Sequence, residues 1–428
     1  MTASLKLNKE KFFKYMSYEP HESQWKYHNS KARFRTLAWG RRGGKTKAAA
    51  MEALYKGIAH PNRLIWIVAP SYELSNKVFR EIYWALNKKL PFLITSCSMS
   101  KQLQEIKLKT NTTIMGKSAE NPTSLLGEGV DDLFMDECAR IKQIVYEEAL
   151  RPTLTDKQGS ATFISTPKGK NWFHELFKKG KNPDLRDYES WQFPTSNNPY
   201  IIKEELEQAR ESLPRLIYQQ EYEAEFLSEE DQFFSQELIE DCIDETIQKL
   251  DSPHPKKEYF LGVDFARMGQ DSSVFIVAEK QWPNGQDIKI IDIIETKHKL
   301  LTEAVGRIKA LHKKYQFRRI YLDETGLGAG PSDQLKEELK ATVVPITFTN
   351  KNKTDLYMNL KLLMEKQKIK FPNVEKLIYQ LTDLRYEYSS EGNLKLHHSD
   401  RGFDDYPDSL ALAVWFAHGV GNYTPLIA

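Results

Sequence analysis

Phe34-Arg35-Thr36-Leu37-Ala38-Trp39-Gly40 is followed without a break by Arg41-Arg42-Gly43-Gly44-Lys45-Thr46 and then by KTKAAAMEALYKGI (45–58). An apolar run, a glycine-rich turn and a helix-forming stretch, in that order, are the context of a phosphate-binding loop. Glycines let backbone N–H groups approach an anion closely, and the first turn of the helix adds its partial positive charge. Lys45 is expected to neutralise the β- and γ-phosphates of a bound nucleotide, and the Thr46 hydroxyl to ligate Mg²⁺. Arg41, Arg42, Gly43 and Gly44 form the rest of the cradle. The spacing departs from the usual one, because Trp39 stands where the first glycine belongs and Gly40 follows one place later.

Further apolar runs follow, RLIWIVAP ending at Pro70, DDLFMDE at Glu137 and ATFISTP at Pro167, with helical patterns such as YELSNKVFREIYWAL between them. Strands alternating with amphipathic helices predict a parallel sheet covered on both faces. The first half therefore reads as an α/β P-loop ATPase domain of the RecA/helicase-like kind. Asp136 and Glu137 end one of these strands. Asp136 is expected to hold Mg²⁺ and Glu137 to polarise the attacking water. Ser165 and Thr166 fall on a neighbouring strand tip, where helicase-like motors couple the γ-phosphate to movement. Gln24, ahead of the first strand, is a candidate adenine reader. A polar helical region occupies roughly residues 202–226.

The second half opens with EYFLGVDFA and DSSVFIVAEK, joined by the turn-like RMGQ, and continues with DIKIIDIIET. A helical stretch, TEAVGRIKALHKKY, leads to the short runs RRIYLDE and ATVVPITF, and the apolar PDSLALAVWFAHG reads as a helix starting after Pro407. Three meandering strands followed by α/β alternation are the order of a ribonuclease H-like fold. DSPHPKKE (251–258) has the composition of a linker. The expected division is a P-loop ATPase domain over 1–228, with a helical subdomain from about 200. A linker over 229–256 and a nuclease domain over 257–428 complete it.

In that topology Asp264 and Asp323 end adjacent strands, and Asp404, Asp405 and Asp408 sit at the start of the last helix. Carboxylates that close repel one another unless a cation holds them. Two-metal phosphodiester hydrolysis uses such a cluster, with ions about 4 Å apart activating water and stabilising the leaving oxygen. Mg²⁺ or Mn²⁺ suits all-oxygen ligands. Asp264, Asp323 and Asp408 are the expected catalytic acids. All five aspartates are carried as metal ligands, with the choice among Asp404, Asp405 and Asp408 left open. Asp271 is placed nearby in support, and Asp408 alternatively reads as a helix cap.

With 428 residues the chain has room for two or three domains. At 40% hydrophobic and 28% charged residues the composition is that of a globular protein, and it excludes a mostly disordered, collagen-like or coiled-coil chain. No apolar run approaches the roughly 18–20 residues a membrane span needs, and MTASLKLNKEKFFKYM lacks the apolar core of a secretory signal. Cys97, Cys138 and Cys242 are scattered, which argues against a disulfide framework or zinc site and for a reducing compartment. A formal charge of +2 carries no global signature of nucleic-acid binding, so any DNA footprint is a patch.

Taken together these motifs resemble the large terminase subunit of tailed bacteriophages over nearly the whole chain. PHESQWKYHNSKARFRTLAWGRRGGKT is similar to the family's adenine motif and deviant P-loop, LFMDECA to its Walker B strand and catalytic glutamate, and ISTPKG to its coupling motif. YQQEYEAEF resembles the segment closing the ATPase region, and VDFARMGQDSS, YLDETG and DDYPDSLALA resemble the three acidic nuclease motifs. The resemblance implies ATP-driven translocation of double-stranded DNA into a procapsid and endonuclease cuts that start and end packaging. It further implies a homo-oligomeric ring at the portal protein during packaging, with a monomer in free solution, and a small terminase subunit as partner. Residence in the host cytoplasm, with transient docking on the procapsid, belongs to the same expectation. Leu126 stands where some relatives carry an arginine that reaches a neighbour's nucleotide, which leaves Arg41, Arg42 and Arg140 as candidates for that role. A cellular helicase or repair translocase with a fused nuclease would use the same chemistry, but it needs a second motor lobe for which the residues after ISTP leave no room. A nucleotide-binding scaffold with structural acids is the remaining alternative.

Overall fold

The computed structural model describes residues 7–100, 103–227, 232–265, 272–281, 287–297, 301–325, 330–389, 393–398 and 403–417. Contacts divide the chain into two compact units. The first comprises Met1–Gln208, Leu216–Ser228 and Tyr388–Asn393, and the second Ala209–Arg215, Glu229–Glu387 and Leu394–Ala428.

The first unit is built on eight strands: β1 (Phe34–Trp39), β2 (Leu64–Ala69), β3 (Ile94–Met99), β4 (Gln104–Leu108), β5 (Thr113–Ser118), β6 (Asp132–Asp136), β7 (Ser160–Ser165) and β8 (Tyr188–Phe193). They lie in the order β3-β4-β5-β2-β6-β7-β1-β8. From β5 to β8 every pairing is parallel, while β3 and β4 add an antiparallel edge. Both faces are buried, which is why the central strands read as continuous apolar runs. Leu37, Trp39, Ile65, Ile67 and Phe134 pack into one core, and the alternating Ala38, Trp66, Val68, Leu133 and Met135 into the other. The antiparallel edge carries no such signal, because ITSCSM of β3 is polar and largely exposed.

The second unit has a six-stranded sheet of β9 (Lys257–Asp264), β10 (Ser272–Gln281), β11 (Ile288–Lys297), β12 (Arg319–Asp323), β13 (Val343–Ile346) and β14 (Ile369–Lys370). Its order is β13-β12-β9-β10-β11-β14, with β9, β10 and β11 antiparallel and β12 parallel to β9. The meander followed by parallel strands is the arrangement expected of a ribonuclease H-like sheet. RMGQ and Asp271 lie outside the described residues. Within 232–256, Phe233, Phe234, Ile239 and Cys242 are buried, and Phe233 and Phe234 pack against Tyr357.

Two local expectations need correction. The last helix begins at Asp405 rather than after Pro407, and Asp404 is its first flanking residue. Proline is tolerated there because the N–H groups of a first helical turn have no intrahelical partner. Asp408 therefore stands inside the helix and does not cap it. The segment after β6 is irregular, with a short 3₁₀ turn (Cys138–Arg140) and a π-helical turn (Val145–Leu150) in place of a regular helix.

Candidate active sites

In the first unit the loop after β1 is held by its glycines. A Cβ on Gly40 would lie 2.6 Å from the Tyr222 carbonyl oxygen, and Gly44 has φ +92° at the point where the helix Lys45–Ala59 begins. Side chains from elsewhere in the unit pin the loop's carbonyls. Thr195 Oγ1 donates to Arg41 O (2.7 Å), Asn198 Nδ2 to Arg42 O (2.7 Å) and Gln24 Nε2 to Gly44 O (3.1 Å). The Gln24 carbonyl in turn accepts from His21 N, and His21 Nε2 is 3.1 Å from Gly43 O. His21, Gln24, Gly44, Lys47, Asn198 and Tyr200 help line a cavity of about 330 Å³ beside the loop.

β6 and β7 are neighbours, and β7 pairs with β1, so Asp136, Ser165 and the loop meet at one sheet edge. Lys45 Nζ is 3.7 Å from Glu137 Oε1. Asp136 is buried and its Oδ1 has no protein partner. Burial, and then the neighbouring Glu137 charge, push its carboxyl up to about 7. Burial also works against the charged form of Glu137, yet Lys45, Arg140 and Lys168 hold its carboxyl below the ordinary value. Ser165 Oγ is likewise buried without a partner, and Thr166 is buried beside it. An orphaned carboxylate oxygen and an orphaned hydroxyl at a phosphate loop are what a hydrated Mg²⁺ and a γ-phosphate would satisfy.

Sequence reading gave Glu221 no role. Its carboxylate takes Arg41 Nε at 2.5 Å and Lys168 Nζ, and these two cations hold it well below the usual carboxylate range despite its burial. The phosphate loop, the residue after Thr166-Pro167 and the segment closing this unit are thereby joined through one carboxylate. Arg41 is committed to this contact, whereas Arg42 is exposed, with φ +57°. Leu126 is exposed.

In the second unit, Leu322 pairs with Val263, so the strand ends Asp264 and Asp323 lie side by side. The helix Asp405–Ala413 crosses β9 at Gly262, where a Cβ would sit 2.2 Å from Ser409 O and 2.3 Å from Ala413 N. Only glycine permits this approach. Ser409 Oγ fastens it, accepting from Asp264 N (3.0 Å) and donating to Val274 O (2.9 Å). Asp408, one residue earlier, is thereby brought beside Asp264. Asp264, Asp323, Asp404, Asp405 and Asp408 line one cavity of about 620 Å³.

The electrostatics are those of crowded acids. Burial, then Asp408, Asp405, Asp323 and Asp404, raise the Asp264 carboxyl well above its ordinary value. Burial and then Asp404 push Asp408 up to about 7. Lys353 and Tyr357, both missed by sequence reading, relieve part of this. Lys353 Nζ lies 2.5 Å from Asp404 Oδ2 and 2.7 Å from Asp408 Oδ2, and the Tyr357 hydroxyl donates to Asp408 Oδ1 at 2.6 Å. Among the described residues no three His, Cys, Asp or Glu side chains are arranged to hold a metal ion between them. The set is nonetheless all carboxylate oxygen, with Asp264, Asp323 and Asp408 buried and Asp404 and Asp405 partly exposed, which suits a hard divalent cation.

Residues 37–241 match the family model "Terminase large subunit, T4likevirus-type, N-terminal", and residues 261–415 match "Terminase RNaseH-like domain". The chain is 31% identical to the terminase large subunits of Thermus phage G20c and Thermus virus P23-45, each alignment covering 97% of this chain and 91% of that protein. A solved large terminase from another thermophilic bacteriophage shares the fold, with a TM-score of 0.60 at 14% identity over 93% of this chain and 99% of that one.

Proposed function

The chain belongs to the terminase large-subunit family, and on that premise we propose how its two sites divide the work of a DNA-packaging motor. The motor couples ATP hydrolysis to movement of double-stranded DNA into a procapsid and cuts that DNA with a metal-dependent endonuclease. We assign residues 1–228 to the ATPase domain and 257–428 to the nuclease; of the intervening 229–256, Phe233 and Phe234 pack against Tyr357, so this stretch goes with the nuclease unit rather than forming a free linker. The observation that carries this reading is that one chain holds a phosphate loop facing Asp136–Glu137 and, in its other unit, Asp264, Asp323 and Asp408 in one cavity.

In the ATPase domain, backbone N–H groups of the loop and Lys45 hold the phosphates, and Lys45 leaves Glu137 for them when nucleotide enters. Glu137, then unpaired, orients the attacking water and takes its proton. Thr46 and Asp136 would hold Mg²⁺, which would supply charge neutralisation at the phosphates. Ser165 and Thr166 stand next to Asp136 and β1, placed to register loss of the γ-phosphate. The His21–Gln24 pair supports the loop and borders the space for adenine.

In the nuclease, Asp264, Asp323 and Asp408, with Asp404 and Asp405 adjoining, would hold two Mg²⁺ or Mn²⁺ ions, which would supply activation of water and stabilisation of the leaving oxygen. Gly262 and Ser409 set the separation of Asp264 and Asp408. We further propose that the motor works as a homo-oligomeric ring at the portal protein, with a small terminase subunit selecting the DNA, in the host cytoplasm. Among the described residues no helix is long and apolar enough to cross a membrane. The test is cleavage of supercoiled plasmid by purified protein with Mn²⁺ or Mg²⁺. Cleavage that stops with EDTA and is absent in Asp323→Asn is expected; equal cutting by both proteins overturns the site assignment.

A further inference from the structure

Both carboxylate oxygens of Asp408 are occupied. Oδ1 accepts the Tyr357 hydroxyl and Oδ2 the Lys353 ammonium, which also holds Asp404 Oδ2 at 2.5 Å. Lys353 reaches them from the first turn of the helix Asn350–Glu365, whose start is fixed by the Thr349 side chain accepting from Asn352 N. Its ammonium is packed 5.4 Å from the Phe348 ring centroid and 5.8 Å from that of Tyr357, which steers it to one place. The side chain is only 21% exposed. A surface lysine that merely decorates an acidic cleft would be solvated and mobile. This one is built into the wall of the cavity that Asp264, Asp323 and Asp405 share.

We propose that Lys353 is the resident counter-ion of the nuclease site, so that divalent metal enters by cation exchange and Lys353 sets the metal concentration at which the site assembles. The inference rests on the nuclease reading above. Without metal, four or more carboxylates around one cavity repel one another, and a fixed ammonium across Asp404 and Asp408 offsets that repulsion. A divalent ion shared by Asp264 and Asp408 must take an oxygen of Asp408, and at Oδ2 it meets the charge of the Lys353 ammonium 2.7 Å away, which opposes it until Lys353 withdraws. The Tyr357 hydroxyl, a neutral donor, keeps Asp408 oriented during the exchange. Lys353 is a positioning residue in this account. It acts on the carboxylates, and its removal leaves every ligand in place.

The test is Mn²⁺ binding to the full-length protein, without nucleotide or DNA, followed by calorimetry and by the loss of the free-ion paramagnetic resonance signal. Lys353→Met keeps the length of the side chain and removes the charge. Removing one positive charge this close to the site should lower the Mn²⁺ dissociation constant about tenfold or more, with the metal-free melting temperature of the same unit reduced. Unchanged or weaker Mn²⁺ binding in a folded Lys353→Met protein overturns the inference. Lys353→Arg keeps the charge and grips both carboxylates, so it should bind Mn²⁺ no more tightly than the unaltered chain. Tighter binding by that variant overturns the inference even where the methionine variant does not fold. Asp323→Asn separates the two levels: if it binds as much Mn²⁺ as the unaltered chain, the metal site itself is misassigned. If it loses binding while Lys353→Met has no effect, only the counter-ion role fails.

Discussion

Gly262→Ala adds one methyl group where β9 meets the helix Asp405–Ala413. The new Cβ would stand 2.2 Å from Ser409 O and 2.3 Å from Ala413 N, and both obstacles are backbone that no rotamer change can move. Carbon packs comfortably at about 3.5 Å and beyond, so the helix must retreat by about an ångström. That retreat stretches the bond from Asp264 N to Ser409 Oγ and the bond from Ser409 Oγ to Val274 O, and it draws Asp408 away from Asp264. Overpacking of this kind costs about 1–3 kcal/mol. The catalytic effect is larger, because a displacement of about 1 Å costs on the order of 100-fold in a reaction that depends on positioned groups. Plasmid cleavage by Gly262→Ala should therefore fall about 100-fold, while ATP hydrolysis, governed by the other unit, stays unchanged. Single-turnover cleavage at saturating Mn²⁺ reads this directly. Cleavage within a few-fold of the unaltered protein, at an unchanged melting temperature, would refute the claim that this glycine sets the Asp264–Asp408 separation.

Other expectations follow from the same geometry. Glu221→Gln leaves the buried Lys168 and the half-buried Arg41 without their carboxylate, a loss worth up to about 3–5 kcal/mol, most of it from Lys168. The melting temperature of the ATPase unit should drop and be partly restored by a nucleotide's phosphates, whereas an unchanged melting curve would contradict the role given to this carboxylate. Asp408 has a folded pKa near 7, above the unfolded carboxylate value of about 3.9, so folding takes up a proton between those values. The stability contributed by its neutral form is present at pH 4 and lost as pH rises to 7. In EDTA, Asp408→Asn should therefore raise the melting temperature of the nuclease unit at pH 8 and leave it nearly unchanged at pH 4; an equal effect at both would contradict the shift. Asp136→Asn should retain nucleotide binding at high concentration but lose its dependence on Mg²⁺, measured by fluorescent-nucleotide titration.

The parallel core was legible because strands buried on both faces are largely apolar, with a few buried polar residues such as Arg35 and Thr162 among them. FRTLAW, LIWIVA, DLFMD and SATFIS all announce themselves in this way. β3 was not legible, since an edge strand exposed to water can be polar and ITSCSM has no pattern to distinguish it from a loop. The acids of the nuclease cavity could be picked out because each lies at the end of an apolar run or beside Pro407. Their neighbours could not. Lys353 lies 55 residues before Asp408 in an ordinary polar stretch, and nothing in its local sequence indicates that its ammonium crosses to the last helix. Glu221 is similar: YQQEYEAEF stands out as a segment, but which of its acids turns inward depends on Lys168 and Arg41 meeting it in three dimensions. Gly262 does carry a local signal, a glycine in the middle of an otherwise bulky apolar strand, which marks the close approach of another backbone.

The central claim is that one chain carries two independent active sites, an ATPase and a nuclease. Its most direct test measures ATP hydrolysis and Mn²⁺-dependent plasmid cleavage side by side in Glu137→Gln and Asp323→Asn. Glu137→Gln should lose about 100- to 10,000-fold in ATP turnover and keep its cleavage rate, and Asp323→Asn should do the reverse. Loss of both activities in either variant, or of neither, would contradict the account.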